Sequence, residues 1–287
     1  MIGVELQGRL GNQLFQYAFA YATAKKLGSR FYFDRRLQSL FIPKYFEQTS
    51  DIFYYLDQTI FSVKGFDDFF SVYLKQKFYT LLRKILNYEE VYISDQLDPK
   101  LESLKLKDQK LFTGFFQSEY YFAAYKEEIK ARFTIKEKFQ TDFRNIFDDL
   151  PRGYKYVVIH VRRSDYFHYN IQLPASYYHD AISAIESKNN YYILISDDTA
   201  FLESEFGYLD NKYISRSTEI IDFQFMMHAD ICIISNSTFS WWGAYLNIKN
   251  ARVYAPDKWF PDFGKIESPC AILLAEWNLI RVNGAHL

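Results

Sequence analysis

Within "HVRRSD", residues 160–165, an imidazole, two guanidinium groups and a carboxylate stand together at the end of the apolar run "YVVI". A guanidinium is always charged and its planar fork matches two oxygens at once, so Arg162 and Arg163 suit a phosphate or carboxylate ligand. Asp165 offers the plainer alternative of a surface ion pair, which by itself contributes little. Two further clusters occupy equivalent places. "YYILIS" is followed by Asp197 and Asp198, carboxylates able to accept from ribose hydroxyls or a purine edge. "ICII" is followed by Ser235, Asn236, Ser237 and Thr238, which bring hydroxyls and backbone N–H groups to the start of a helix, as a diphosphate requires. A simple N-cap would use only one of those four residues. Near the N-terminus, "GRLGNQ" carries Gly8 and Gly11 with Asn12 as a polar tip. The glycines either admit a ligand to the backbone or only turn the chain. The spacing is not the G-x-G-x-x-G fingerprint, which counts against a nicotinamide or flavin oxidoreductase.

The elements that must hold these groups follow from periodicity. "GVELQ" reads as a strand, and a helix over 13–27 follows the glycine turn, closed by Gly28. "RFYFD" has strand character, "FYTLLRKILNYEE" is helical, and residues 36–110 otherwise read as helices and loops. "KLFTGFFQS" is a strand with a turn, and "EYYFAAYKEEIKARF" has the spacing of an amphipathic helix. The linker-like "DDLPRGYK" suggests a boundary near residue 150, hence two domains, 1–150 and 151–287. Beyond it, strands "YVVIHV", "YYILIS" and "ICIIS" alternate with helices "PASYYHDAISAIESK", "STEIIDFQFMMHAD" and "STFSWWGAYLN". Such alternation means right-handed βαβ units and a parallel sheet. In parallel sheets ligands lie beyond the carboxyl ends of the strands, where all three polar clusters fall.

Composition narrows the function classes. Against 34 Lys+Arg stand 35 Asp+Glu, a formal net charge of -1, so no global basic field exists to hold a nucleic acid or an anionic membrane, which leaves only local patches for such a role. Cys232 lies in an apolar run and Cys270 is its only companion, so both are read as reduced thiols of a cytoplasmic protein. No run of about 18 apolar residues is present to span a bilayer. Adjacent aspartates alternate in direction and lack further oxygen ligands, so no metal site is expected.

Taken together and in order, "GRLGNQLFQYAFA", "TGFFQSEYYF", "VVIHVRRSDY", "ISDD" and "IISNSTFSWWGAYLN" resemble the bacterial alpha-1,2-fucosyltransferases of glycosyltransferase family 11. The resemblance spans residues 3 to about 260. It implies an α/β, GT-B architecture, two Rossmann-like domains facing across a cleft, with domain 1–150 on the acceptor side and domain 151–287 binding GDP-fucose. It implies transfer of L-fucose, with inversion, to O2 of a terminal galactose in an oligosaccharide, as in O-antigen biosynthesis, with no cofactor besides the donor. By the same resemblance, His160, Arg162 and Arg163 contact the nucleotide sugar, Asp197 and Asp222 hold guanosine, and Ser237, Thr238 and Phe239 wrap the diphosphate. Gly11 and Asn12 reach the phosphate or the acceptor. Arg162, Asn12 and Asp165 are the candidates for catalysis, Asp165 either as general base or as a clamp on an arginine. A lipid-linked acceptor would bring the protein to the inner membrane. The alternatives are a fucosyltransferase of another linkage and a nucleotide-sugar-binding protein that transfers nothing.

Overall fold

A computed structural model of the chain describes residues 1–47, 49, 51–54, 68–260 and 268–282. Part of the 36–110 stretch therefore lies outside the described residues. The chain divides into two units, Met1–Ile135 with Cys270–Ile272, and Lys136–Pro269 with Leu273–Leu287.

In the first unit, β1 (Ile2–Glu5) leads through the glycine turn into α1 (Leu10–Lys26), and β2 (Phe31–Asp34) follows. The helix thus begins three residues earlier than expected and takes Gly11 and Asn12 into its first turn. Its C-terminus ends as a glycine predicts. Gly28 adopts φ +61, its N–H donates to Lys25 O at 3.2 Å, and Ser29 N–H donates to Ala24 O at 2.8 Å. After α2 (Ile42–Tyr45) come α3 (Asp68–Leu86), β3 (Glu89–Tyr92), α4 (Pro99–Glu102) and β4 (Lys110–Thr113). The four strands form a parallel sheet in the order β2-β1-β4-β3. Buried Phe19 fixes α1 against it, stacking on Phe116 at 3.8 Å and meeting Phe112 edge-on at 5.5 Å. The amphipathic helix expected from residue 119 onward is broken. Two 3-10 turns, Glu119–Tyr121 and Ala123–Tyr125, precede α5 (Lys126–Arg132). Tyr121 turns edge-on to Phe19 at 5.4 Å and Phe122 is fully buried, so aromatic packing overrides the helical period.

The second unit opens with α6 (Glu137–Phe147). Phe143 packs on Phe225 at 5.2 Å, and Gln224 Nε2 donates to Phe139 O at 2.9 Å, so the Pro151–Gly153 turn lies inside this unit. Six strands follow: β5 (Lys155–Val161), β6 (Asn190–Ser196), β7 (Lys212–Ile214), β8 (Ile231–Ile233), β9 (Arg252–Pro256) and β10 (Asn278–Ile280). All pair in parallel in the order β10-β9-β8-β5-β6-β7. Between them lie α7 (Ser164–Tyr169), α8 (Ala175–Ser183), α9 (Thr199–Glu205), α10 (Glu219–Met227) and α11 (Thr238–Tyr245). Val157, Ile159, Leu194 and Ile233 form the sheet side of a core closed by Tyr177, Tyr178 and Phe206. Among the described residues, no helix is long and apolar enough to cross a membrane.

Candidate active site

From β5 the chain runs outward to β6 and β7, then returns to lay β8 on the other side of β5. The strand order therefore reverses between β5 and β8, the place in an open parallel sheet beyond whose carboxyl ends ligands bind. His160, near the end of β5, and Ser235, two residues past β8, face each other there, with Nδ1 2.8 Å from Oγ. Both are buried. Burial, with a smaller push from the Arg162 charge, lowers the imidazole to about 3, so the ring is neutral at ordinary pH. The ring of Phe239 lies 5.5 Å away. Ser240 steadies the loop, its Oγ donating to Ser237 O at 3.0 Å. The α11 N-terminus that follows carries no acidic residue in its first turn, which leaves its partial positive charge uncancelled.

Arg162 emerges just past β5 and is held from two sides. One terminal nitrogen lies 2.8 Å from Asp165 Oδ1 and the other 3.0 Å from Asp197 Oδ2. Asp197 also accepts the Arg163 backbone N–H at 2.9 Å. Burial raises the Asp197 carboxyl, but Ser164, Arg162 and the N–H groups of Arg163 and Ser164 outweigh it, so its pKa is lowered and it stays ionised. Tyr166 lies under the Arg162 guanidinium at 5.6 Å and donates to Asn236 O at 3.1 Å, tying the β5 and β8 loops together. Arg163 points elsewhere. Its guanidinium lies 3.5 Å from the Phe201 ring centre and 4.5 Å from that of Phe167, and pairs with Asp198 at 3.3 Å. Asp198 also caps α9 by accepting Phe201 N–H at 3.0 Å. The two aspartates after β6 thus separate, Asp197 toward Arg162 and Asp198 toward a helix cap.

Asp222 lies in the first turn of α10 and accepts from Ser215 Oγ at 2.5 Å, just past β7. Burial pushes its carboxyl up to about 7 against the lowering effect of that hydroxyl. Ser237, the residue preceding α11, and Thr238 at its first position follow Ser235 and Asn236 in the loop after β8.

The first unit carries its own strand-end assembly, described by itself. Gly8 has φ +71, where any other residue would be strained, and a Cβ there would meet Asn12 Nδ2 at 2.3 Å and displace its carboxamide. Gln117 Nε2 donates to Asn12 Oδ1 at 3.3 Å, and Gln117 N–H donates to Asp95 Oδ1 at 2.7 Å. Burial raises the Asp95 carboxyl to about 6 despite the N–H groups of Gln117 and Phe115. Gln16 ties the turn after β1 to the one after β4, accepting from Gln7 N–H at 3.2 Å and donating to Gly114 O at 3.2 Å. Sequence reasoning missed Ser215, Tyr166, Gln117 and Asp95. Gln117 sits inside the "TGFFQS" segment, where a strand ending in glycine signals a strand-end loop; nothing local marks the other three. Among the described residues, no group of three or more His, Cys, Asp or Glu side chains is arranged to hold a metal ion.

The chain as a whole is similar to known proteins. The family model "Glycosyl transferase family 11" matches residues 1–281. The chain is 30% identical to an alpha-1,2-colitosyltransferase of Escherichia coli, over 91% of this chain and 92% of that protein. It is 28% identical to the O-antigen biosynthesis glycosyltransferase WbnK of Escherichia coli, over 89% of this chain and 93% of that one. In fold it is similar to the alpha-1,6-fucosyltransferase NodZ soaked with GDP-fucose, with a TM-score of 0.54 and 15% identity over 93% of this chain and 99% of the other.

Proposed function

The chain belongs to glycosyl transferase family 11 and is a transferase of GT-B fold; from that premise we propose that it moves L-fucose from GDP-β-L-fucose to O2 of a terminal galactose. The observation that carries this reading is the convergence of His160, Arg162 and the acid-free start of α11 at the β5/β8 reversal. An α-linked product from a β-linked donor requires inversion. The acceptor hydroxyl oxygen bonds to the anomeric carbon from the face opposite the diphosphate, the bond to the phosphate oxygen breaks, and the hydroxyl proton passes to water. Charge grows on the departing GDP. A guanidinium already oriented by two carboxylates, and helix N–H groups already aimed, meet that charge without reorganising, which is how preorganised donors lower a barrier.

Each remaining residue takes a role in that scheme. His160, being neutral, contributes a hydrogen bond and shape, not a positive charge. Asp165 clamps Arg162. Asp222 receives guanine N–H groups, and Asp197 serves the nucleoside side while orienting Arg162. Ser237, Thr238 and Phe239 wrap the diphosphate, Arg163 supports this wall through Asp198, and Gly11 and Asn12 bind phosphate or acceptor. We propose no metal and no cofactor besides the donor. The acceptor is a galactose-terminated oligosaccharide, carried on a lipid at the cytoplasmic face of the inner membrane.

The test is incubation of labelled GDP-fucose with lactose, N-acetyllactosamine and the Galβ1,3-GlcNAc disaccharide, with linkage analysis, with and without EDTA. The reading expects α-1,2-linked fucose on galactose, undiminished by EDTA. Transfer to another hydroxyl, or loss of turnover that a divalent ion restores, overturns it. A parallel arm with GDP-colitose is warranted by the 30% identical colitosyltransferase. Colitose lacks only the 3-hydroxyl of fucose, and a higher kcat/KM for it would reassign the donor.

A further inference from the structure

Helix α3 has one face committed to the fold and one that, among the described residues, stands exposed. Inward, Tyr79 is fully buried, and Arg83 forms ion pairs with Glu5 and Asp34, the last residues of β1 and β2, and with Glu90 at 2.6 Å. Outward, at helical spacing, stand Tyr73, Leu74, Lys77, Leu81, Lys84 and Ile85. Large apolar side chains are exposed here: 47% for Tyr73, 37% for Leu74, 57% for Leu81 and 69% for Ile85. Lys77 and Lys84 are exposed on the same stripe, Lys77 lying 5.3 Å from the Tyr73 ring centre. No carboxylate belongs to this stripe, and Asp68 at the first position is the only acidic residue of the helix.

We propose that this stripe docks the protein on an anionic bilayer surface. A stripe of large apolar side chains interleaved with lysines matches the plane where acyl chains meet phosphates. The apolar groups leave water, and each lysine extends its stem over them to reach a headgroup. Protein interfaces deplete lysine at their centres, so a second protein is the poorer match. The whole chain is almost neutral, which makes this basic and apolar stripe a local feature and not a by-product of composition. Because Arg83 bolts the helix to the carboxyl ends of β1 and β2, the docked stripe holds a fixed orientation to the glycine turn that follows β1. The inference extends the lipid-linked acceptor reading above, but vesicle binding is read without turnover, so either can fail without the other.

The test is flotation with vesicles of phosphatidylcholine alone and of phosphatidylcholine mixed with phosphatidylglycerol, at low and high salt. The intact protein is expected to float with the anionic vesicles, to release them at high salt, and to ignore the neutral ones. Each lysine near such a surface is worth about a fivefold change in partitioning, so Lys77→Glu with Lys84→Glu should weaken binding by more than tenfold. Leu81→Gln with Ile85→Gln should weaken it comparably. Both pairs should keep the wild-type Tm and full transfer to a soluble acceptor, since these side chains support neither the core nor the β5/β8 site. Failure of the intact protein to bind anionic vesicles overturns the proposal. So does self-association that Leu81→Gln with Ile85→Gln abolishes while vesicle binding is untouched, which would assign the stripe to a second copy of the chain.

Discussion

The Nδ1 of His160 and the hydroxyl of Ser235 meet at 2.8 Å across the reversal between β5 and β8. This bond joins two strands whose crossover connections run to opposite sides of the sheet, and it holds a neutral imidazole in a buried place. A histidine lowered from 6.5 to about 3 by burial, then by Arg162, contributes stability that is complete above 6.5 and lost as the pH falls from there toward 3. The ring resonances of His160 should therefore stay unchanged in NMR spectra from about pH 8 to 5, the range in which an ordinary histidine titrates. An inflection near the ordinary histidine value would sink this. Ser235→Ala, which strands a buried ring nitrogen, should cost about 1–3 kcal/mol in denaturant unfolding.

Arg162 divides its fork between Asp165 and Asp197, and a lysine cannot occupy both positions. Arg162→Lys should lower kcat/KM on the order of 10²-fold or more, the scale of losing one preorganised transition-state donor. Asp165→Asn should lose much less, roughly tenfold, because Asp197 still orients the guanidinium. Kinetics on both variants decide the matter. A collapse in Asp165→Asn equal to that in Arg162→Lys would make Asp165 the proton acceptor after all.

Gln117 acts on the reaction only through Asn12 if its hydrogen bond is what sets the Asn12 carboxamide. Asn12→Ala and Gln117→Ala should each reduce kcat/KM by roughly tenfold or more, as small misplacements of positioning groups do. The double variant should be no worse than Asn12→Ala alone. Losses that multiply in the double variant would show that the two side chains work separately.

Asp222 has a folded-state pKa raised from 3.8 to about 7 by burial, so its contribution to stability is present below 3.8 and lost as the pH rises through about 7. Above that pH a half-buried carboxylate is held at a cost. Asp222→Asn should raise the Tm at alkaline pH, leave it nearly unchanged in acid, and weaken GDP about tenfold or more by removing an acceptor for guanine N–H groups. Melting curves at the two pH values beside a GDP titration test both halves. A variant that binds GDP normally would remove Asp222 from the nucleotide site.

The second unit was legible because its strands are short, continuous and apolar, and its chemistry sits one or two residues past each of them. "YVVIHV" and "ICIIS" announce both the strand and the place where a ligand could lie. β3, β7, β9 and β10 were not read. They are three to five residues long, and "EEVY" and "KYI" carry no apolar run that periodicity could detect. The helix expected from residue 119 failed because three aromatics there answer to separate partners, Tyr121 to Phe19, Phe122 to Phe15 and Tyr125 to Lys25. Helix α6 went unassigned because its polar composition hides the single buried residue, Phe143. In the site, charged residues could be named from type alone, whereas the roles of Ser215, Gln117 and Asp95 depend on which strand end lies beside which. That is a property of strand order, not of local sequence.

Residues 270–272 belong to the first unit although the chain on both sides of them belongs to the second. Cys270 N–H donates to Asp95 O at 2.8 Å, the same Asp95 whose carboxylate holds the Gln117 loop. The two units are therefore not exchangeable modules in the genetic sense. A chimera made with a single crossover near residue 136 imports a foreign strap to a native Asp95, and only a recombination that returns residues 270–272 to their own parent keeps the loop beside Asn12 intact.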